Sequence, residues 1–140
     1  MIIMSVDLGK ARTGIAVSDS SESFAFPKTV ITEYNTEKLV KKVSDFAREN
    51  NAELIVVGLP KNMDGSEGSR AQECKEIGEK IQTESGINVV MWDERCTTIS
   101  AHTALNFTDT KGKKRKQVVD AVAAVIILED YLKYRKNSRN

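Results

Sequence analysis

A chain of 140 residues, 40% hydrophobic and 29% charged, can bury a core without disulfide or metal staples, and one domain over 1–140 is expected. No apolar run approaches the ~20 residues of a membrane helix, and no basic segment followed by a signal-like apolar stretch opens the chain. The expectation is therefore a cytoplasmic protein with no membrane role, in which Cys74 and Cys96 stay reduced. The net charge of +1 conceals an asymmetry, since residues 111–140 carry +6 and residues 1–110 carry −5. A basic end on a near-neutral chain points to a polyanionic partner.

In chain order, a first β-branched strand is expected over 2–7, ending on Asp7, and a second over 13–18. The connection between them suits a hairpin, with Gly9 supplying the turn. A third strand is expected over 24–32, where Pro27 indicates an edge. Leu39, Val40, Val43, Phe46 and Ala47 recur at helical spacing between residues 36 and 50. The apolar run 53–58 reads as a strand covered on both faces. After a polar loop, a helix is expected from Ser69 to Glu84, with Ser69 and Gln72 at capping-box spacing and Gly86 as its stop. A fifth strand over 89–92 stops on Asp93 and Glu94. A short helix over 98–105, a basic loop over 111–116 and a largely buried helix over 118–134 complete the chain. Three antiparallel strands followed by helix-linked strands predict an α/β domain with a mixed five-stranded sheet and helices on both faces.

Acids recur where such elements end. Asp7 closes the first strand, Asp93 and Glu94 close the fifth, and Asp120 stands in an otherwise apolar stretch, with Ala123 and Ala124 allowing that helix close to the sheet. A lone buried carboxylate is costly and is normally paired or metal-bound. Several carboxylates with no histidine or thiolate suit a hard ion, Mg²⁺ or Mn²⁺. Two such ions can activate water and stabilise the leaving oxygen of a phosphodiester. The plainer alternatives are a turn-forming Asp7, a capping Asp93 and a Glu94 paired with Arg95. His102 is the only histidine and has no partner motif around it.

The loop 58–70 holds Gly58, Gly65, Gly68, Ser66 and Ser69 and leads into a helix N-terminus, where backbone N–H groups attract anions. It lacks the G-x-x-x-x-G-K-[ST] pattern, so it is not a Walker site. Arg70, in the first turn of that helix, is disfavoured by the macrodipole unless an anion lies near. Arg12 follows the first turn and could reach a phosphate through both nitrogens. Lys111, Lys113, Lys114, Arg115 and Lys116 form the basic segment that would track a nucleic-acid backbone.

Four stretches together resemble the YqgF/RuvX family of Holliday-junction-resolvase-like and pre-16S rRNA nuclease proteins: D-L-G-K-A-R-T-G-I-A-V-S-D (7–19), G-L-P-K-N-M-D-G-S-E-G-S-R-A (58–71), D-E-R-C-T-T (93–98) and V-D-A-V-A-A-V-I-I-L-E-D-Y-L (119–132). The resemblance implies a ribonuclease H-like three-layer fold and phosphodiester hydrolysis dependent on Mg²⁺ or Mn²⁺, two ions being held once substrate is bound. It implies Asp7 and Asp120 as metal ligands and catalytic residues, with Glu94, or else Asp93, as the third carboxylate. It places Arg12, Asn62, Ser66, Arg70, Arg95, Thr97 and Thr98 around the site. The implied role is 5′-end maturation of pre-16S rRNA, with structured RNA or branched DNA as partner and a link to the small ribosomal subunit, the protein being a monomer or weak dimer. Two other readings compete: a nucleic-acid-binding assembly factor without catalysis, and a phosphotransferase of the actin-like ATPase type, for which 140 residues leave room for only one of two domains.

Overall fold

The computed structural model describes residues 1–60, 64–94 and 112–138, with the side chains of 112–120 left out of the description. The expectations at Asn62, Arg95, Cys96, Thr97, Thr98, His102 and Lys111, and the short helix over 98–105, lie outside these residues. Among the described residues, no helix is long and apolar enough to cross a membrane.

Five strands form one sheet: β1 (Ile3–Leu8), β2 (Arg12–Ser18), β3 (Ala25–Thr32), β4 (Leu54–Leu59) and β5 (Asn88–Asp93). Their spatial order is β3-β2-β1-β4-β5. The first three strands are antiparallel neighbours, and β4 and β5 add in parallel to β1. Among the described residues the helices are α1 (Thr36–Glu49), α2 (Ser69–Ser85) and α3 (Gly112–Ser138). Pro27 does lie on an edge strand, next to a register shift opposite Ile15 and Ala16.

Alternation along the strands sorts the core into two halves. Met4, Val6, Ile15, Val17, Ile55 and Val57 face α1 and α2. Ile3, Ala16, Leu54 and Val56 face α3, which contributes Ala124, Ile127, Leu128, Tyr131 and Leu132. Each fully buried Ile or Leu contributes about 1.5–3 kcal/mol. The small residue at 124 has the effect expected of it: the Ser5 hydroxyl donates to the Ala124 carbonyl oxygen at 2.6 Å, so helix and strand backbones lie close.

Two local expectations are corrected. Ser69 is the first residue of α2 and not its cap. Gly68 is the N-cap, with no side-chain hydrogen bond, so no capping box forms. The C-terminal stop is as expected, Gly86 taking φ +74°. The basic segment is not a loop, because α3 begins at Gly112 and carries Lys113, Lys114, Arg115 and Lys116 in its opening turns.

Candidate metal and nucleic-acid site

Asp7 is the seat of the site because of what stands on either side of it. On β2 its register partner is Gly14. On β4 the pairing Val6↔Val57, carried one step further, sets Asp7 beside Gly58. Neither neighbour has a side chain, so Asp7 lies in a trough across three strands. By alternation from Ile3 and Ser5, it faces α3.

Glu94 fills the far side of that trough. Val90 and Trp92 of β5 pack on the α3 half of the core, so Glu94, two residues after Trp92, emerges on the same face and Asp93 on the other. Glu94 lies over Gly58, and a Cβ at position 58 would meet its Oε1 at 2.3 Å, Cδ at 2.7 Å and Cγ at 2.8 Å. The missing side chain at 58 is thus what lets Glu94 cross β4. The two carboxyl groups are hydrogen-bonded to each other. This geometry selects Glu94 over Asp93 as the partner of Asp7, an alternative that residue types alone left open.

Two carboxyl groups in contact cannot both ionise without penalty. Burial, then the Asp7 charge, pushes Glu94 up to about 8. Burial also raises Asp7, opposed by its hydrogen bond with Glu94 and by the Arg70 charge. Because its pKa is raised in the folded state, Glu94 carries no stability penalty below about 4.5, where it is protonated folded and unfolded alike. Stability is then lost as pH rises through about 8. In metal-free protein, Glu94→Gln is therefore expected to match the parent's melting temperature at pH 4.5 and exceed it by roughly 5 °C at pH 9. A scan at the two pH values checks this.

Arg70 belongs to the same site, by a different route from the one its sequence position suggested. Its Nη2 donates to the Leu8 carbonyl oxygen at 2.6 Å, and Nη1 lies 3.1 Å from Glu73. Its charge is felt by both Asp7 and Glu94. The unfavourable place in the first turn of α2 is thus offset by protein anions, and the guanidinium pins the end of the strand that carries Asp7. Cys74, one turn further along α2, is buried, and burial pushes its thiol up to about 11. It stays a thiol at neutral pH and offers no soft ligand.

The other expected residues are placed as follows. Arg12 opens β2 just beyond the turn, where a Cβ on Gly9 would strike the Arg12 carbonyl oxygen at 2.2 Å. Ser66 is held in the loop by Asp64, whose Oδ1 accepts from the Ser66 amide at 2.9 Å and hydroxyl at 2.6 Å. Asp93 ends β5 close enough for its charge to raise Glu94 further. Asp120 lies in the α3 backbone, one turn before Ala124. Among the described residues, no three His, Cys, Asp or Glu side chains gather as a metal site. The described part of the constellation is the Asp7–Glu94 pair with Arg70. Gly14 and Gly58 were not recognised from sequence as clearances beside Asp7. Their signal was a glycine in each strand that flanks it.

The direction of α3 follows from three contacts. Glu22 accepts from the N-terminal amine at 3.2 Å and from Arg135 Nε at 2.7 Å, while Ala124 accepts from Ser5. From Ala124 to Arg135 the helix therefore runs back toward the start of β1, antiparallel to it. In the other sense, the four helical residues from 124 back to 120 rise about 6 Å and two strand residues about 6.6 Å. The backbone at position 120 thus comes level with Asp7.

The model of the RuvX family, described as a Holliday junction resolvase, matches residues 1–134. A Clostridium beijerinckii protein named "Putative pre-16S rRNA nuclease" is 40% identical over 132 residues, covering 94% of this chain and 96% of that protein. Among solved structures, T. thermophilus RuvC in complex with Holliday junction substrate matches with TM-score 0.63 at 13% identity, over 99% of this chain and 97% of that one. The Fowlpox virus resolvase in complex with Holliday junction DNA matches with TM-score 0.61 at 14% identity, over 96% and 99%. At these identities the two structures establish the fold alone, the ribonuclease H-like fold of the resolvases.

Proposed function

Because the chain belongs to the RuvX family, we propose that it is a divalent-metal-dependent nuclease that hydrolyses phosphodiester bonds of structured RNA, in 5′-end maturation of pre-16S rRNA. The observation that carries this reading is the Asp7–Glu94 pair in contact across Gly58. A half-buried like-charged pair of hard oxygen donors costs stability alone and is relieved by a hard cation. Asp120 supplies the third carboxylate, a reading supported by the direction of α3, and Asp93 adds negative charge near Glu94. The set fits Mg²⁺ or Mn²⁺, two ions with substrate in place, which would supply an activated water and stabilise the leaving oxygen.

The chain's own residues do the rest. Asp7 belongs to β1, Glu94 follows β5 and Asp120 belongs to α3, so the proposed site exists only when sheet and helix are assembled. Arg70 holds the end of β1 and offsets part of the negative charge. Arg12, Asn62, Ser66, Arg95, Thr97 and Thr98 contact substrate phosphates around the acids. Lys111, Lys113, Lys114, Arg115 and Lys116, the basic segment of the sequence, hold the backbone with salt-sensitive affinity and little sequence reading. The protein acts as a single domain over 1–140 in the cytoplasm, as a monomer or weak dimer, on precursor associated with the small ribosomal subunit.

RNA is preferred because relatives near 40% identity carry the rRNA nuclease name, whereas the junction-bound structures are 13–14% identical. Incubation of a precursor 16S rRNA fragment and a four-way DNA junction, each with and without Mg²⁺, tests the reading. Metal-dependent cutting of the RNA supports it, and cutting of the junction alone moves the substrate to branched DNA.

A further inference from the structure

At the other end of α3, far from the acids, the turn between β2 and β3 is tied down at many points. The Asp19 carboxylate accepts from the Ser23 amide at 2.7 Å, the Phe24 amide at 2.9 Å and the Ser21 hydroxyl. These bonds hold Asp19 down to about 2, so the clamp stays charged at neutral pH. Glu22 sits at φ +59°, unusual for a residue with a side chain. It is held there by Arg135 and the N-terminal amine. What this clamped turn displays is an aromatic ring in water: Phe24 is 66% exposed, with the Phe26 ring tilted beside it at 6.5 Å.

Phe24 does not stand alone. It lines an open cavity of about 680 Å³ with Leu132, Lys133 and Lys136 of α3, Glu129 among them. Lys133 and Lys136 are exposed and three residues apart, so they share one side of the helix. The helix expected to stop at 134 runs on to Ser138, and both lysines ride on it. An exposed aromatic face beside two cations is the pairing that single-stranded nucleic acid uses, a base stacking on the ring and phosphates meeting the cations. A duplex hides its base faces and cannot use the ring.

We propose that Phe24, Lys133 and Lys136 form a second nucleic-acid contact, which holds a single-stranded segment flanking the site of cleavage. Lys133 lies about 20 Å along α3 from Asp120, so the helix would span the distance between cut and anchor. The proposal rests on the nuclease reading for the identity of the strand, but its test is a binding measurement independent of cleavage.

The test uses the full chain and labelled RNA duplexes, blunt or carrying single-stranded tails of about ten nucleotides at either end, within the usual site sizes of single-strand binders. Binding is followed by fluorescence anisotropy in Ca²⁺ at two salt concentrations, and cutting of the same RNAs is followed in Mg²⁺. The parent should bind tailed RNA about tenfold more tightly than blunt. Phe24→Ala should remove that preference while leaving blunt binding unchanged, and Phe24→Trp should keep it. Lys133→Ala with Lys136→Ala should reduce the salt slope for tailed RNA by one to two units. An unchanged tail preference in Phe24→Ala overturns the proposal, as does a parent without any preference. A Phe24-dependent preference in a parent that cuts nothing would uphold this contact and defeat the nuclease reading.

Discussion

Asp7→Asn is expected to lower single-turnover cleavage about a thousandfold or more, equivalent to some 4 kcal/mol of barrier, without unfolding the protein. The substitution removes the carboxylate charge that burial disfavours in the trough between Gly14 and Gly58 and that helps push Glu94 up to about 8. Metal-free Asp7→Asn should therefore melt at or above the parent's temperature near neutral pH. The metal response separates the two proteins. A cation that binds only the folded state stabilises by mass action, about 2.7 kcal/mol at a hundred times its Kd. Mg²⁺ or Mn²⁺ should raise the parent's melting temperature by several degrees and leave that of Asp7→Asn where it was. Thermal scans with and without metal, beside the cleavage assay, check both halves. A parent that melts identically with and without metal would deny the site its ions.

The second large effect is expected from a single methyl group. Gly58→Ala places a Cβ 2.3 Å from Glu94 Oε1, well inside van der Waals contact. The obstructed atoms run from Cγ to the carboxyl of one side chain and include no backbone, so the whole Glu94 side chain swings out of the trough. A misplacement on the ångström scale costs about a hundredfold in rate. Gly58→Ala should accordingly retain a cooperative melt while losing about a hundredfold in cleavage and most of the metal-induced shift. The two readouts part here: a variant that unfolds would make Gly58 a packing residue, whereas one that folds and fails would make it the passage through which Glu94 reaches Asp7.

Much of this was legible in residue types alone. The five strands and the order of elements follow from apolar runs and helical spacing, with ends off by a residue. Asp7, Glu94 and Asp120 stand out because carboxylates at the ends of apolar elements need a partner. Other features are hidden in one dimension. Choosing Glu94 over Asp93 requires the face that Val90 and Trp92 occupy, and alternation gives no face until the register is known. Gly58 reads as the first residue of a loop, and only the parallel pairing of β1 with β4 sets it beside Asp7. Arg70 looks like a phosphate ligand because its partner, the Leu8 carbonyl oxygen, is 62 residues away in sequence. The start of α3 reads as a loop for a local reason. Cations at a helix N-terminus oppose the macrodipole, which favours a loop, yet Lys and Arg are good helix formers and α3 extends through them to Gly112.

The central claim is that carboxylates from the sheet and from α3 act together on a phosphodiester. Single-turnover cutting of an end-labelled precursor rRNA fragment, in Mg²⁺ and in Mn²⁺, by the parent, Asp7→Asn and Asp120→Asn tests it most directly. Metal-dependent cutting by the parent and its loss in both variants, with RNA binding retained, is the expected result. Cutting by Asp120→Asn at the parent's rate, or salt-dependent RNA binding by a parent that never cuts, would contradict it.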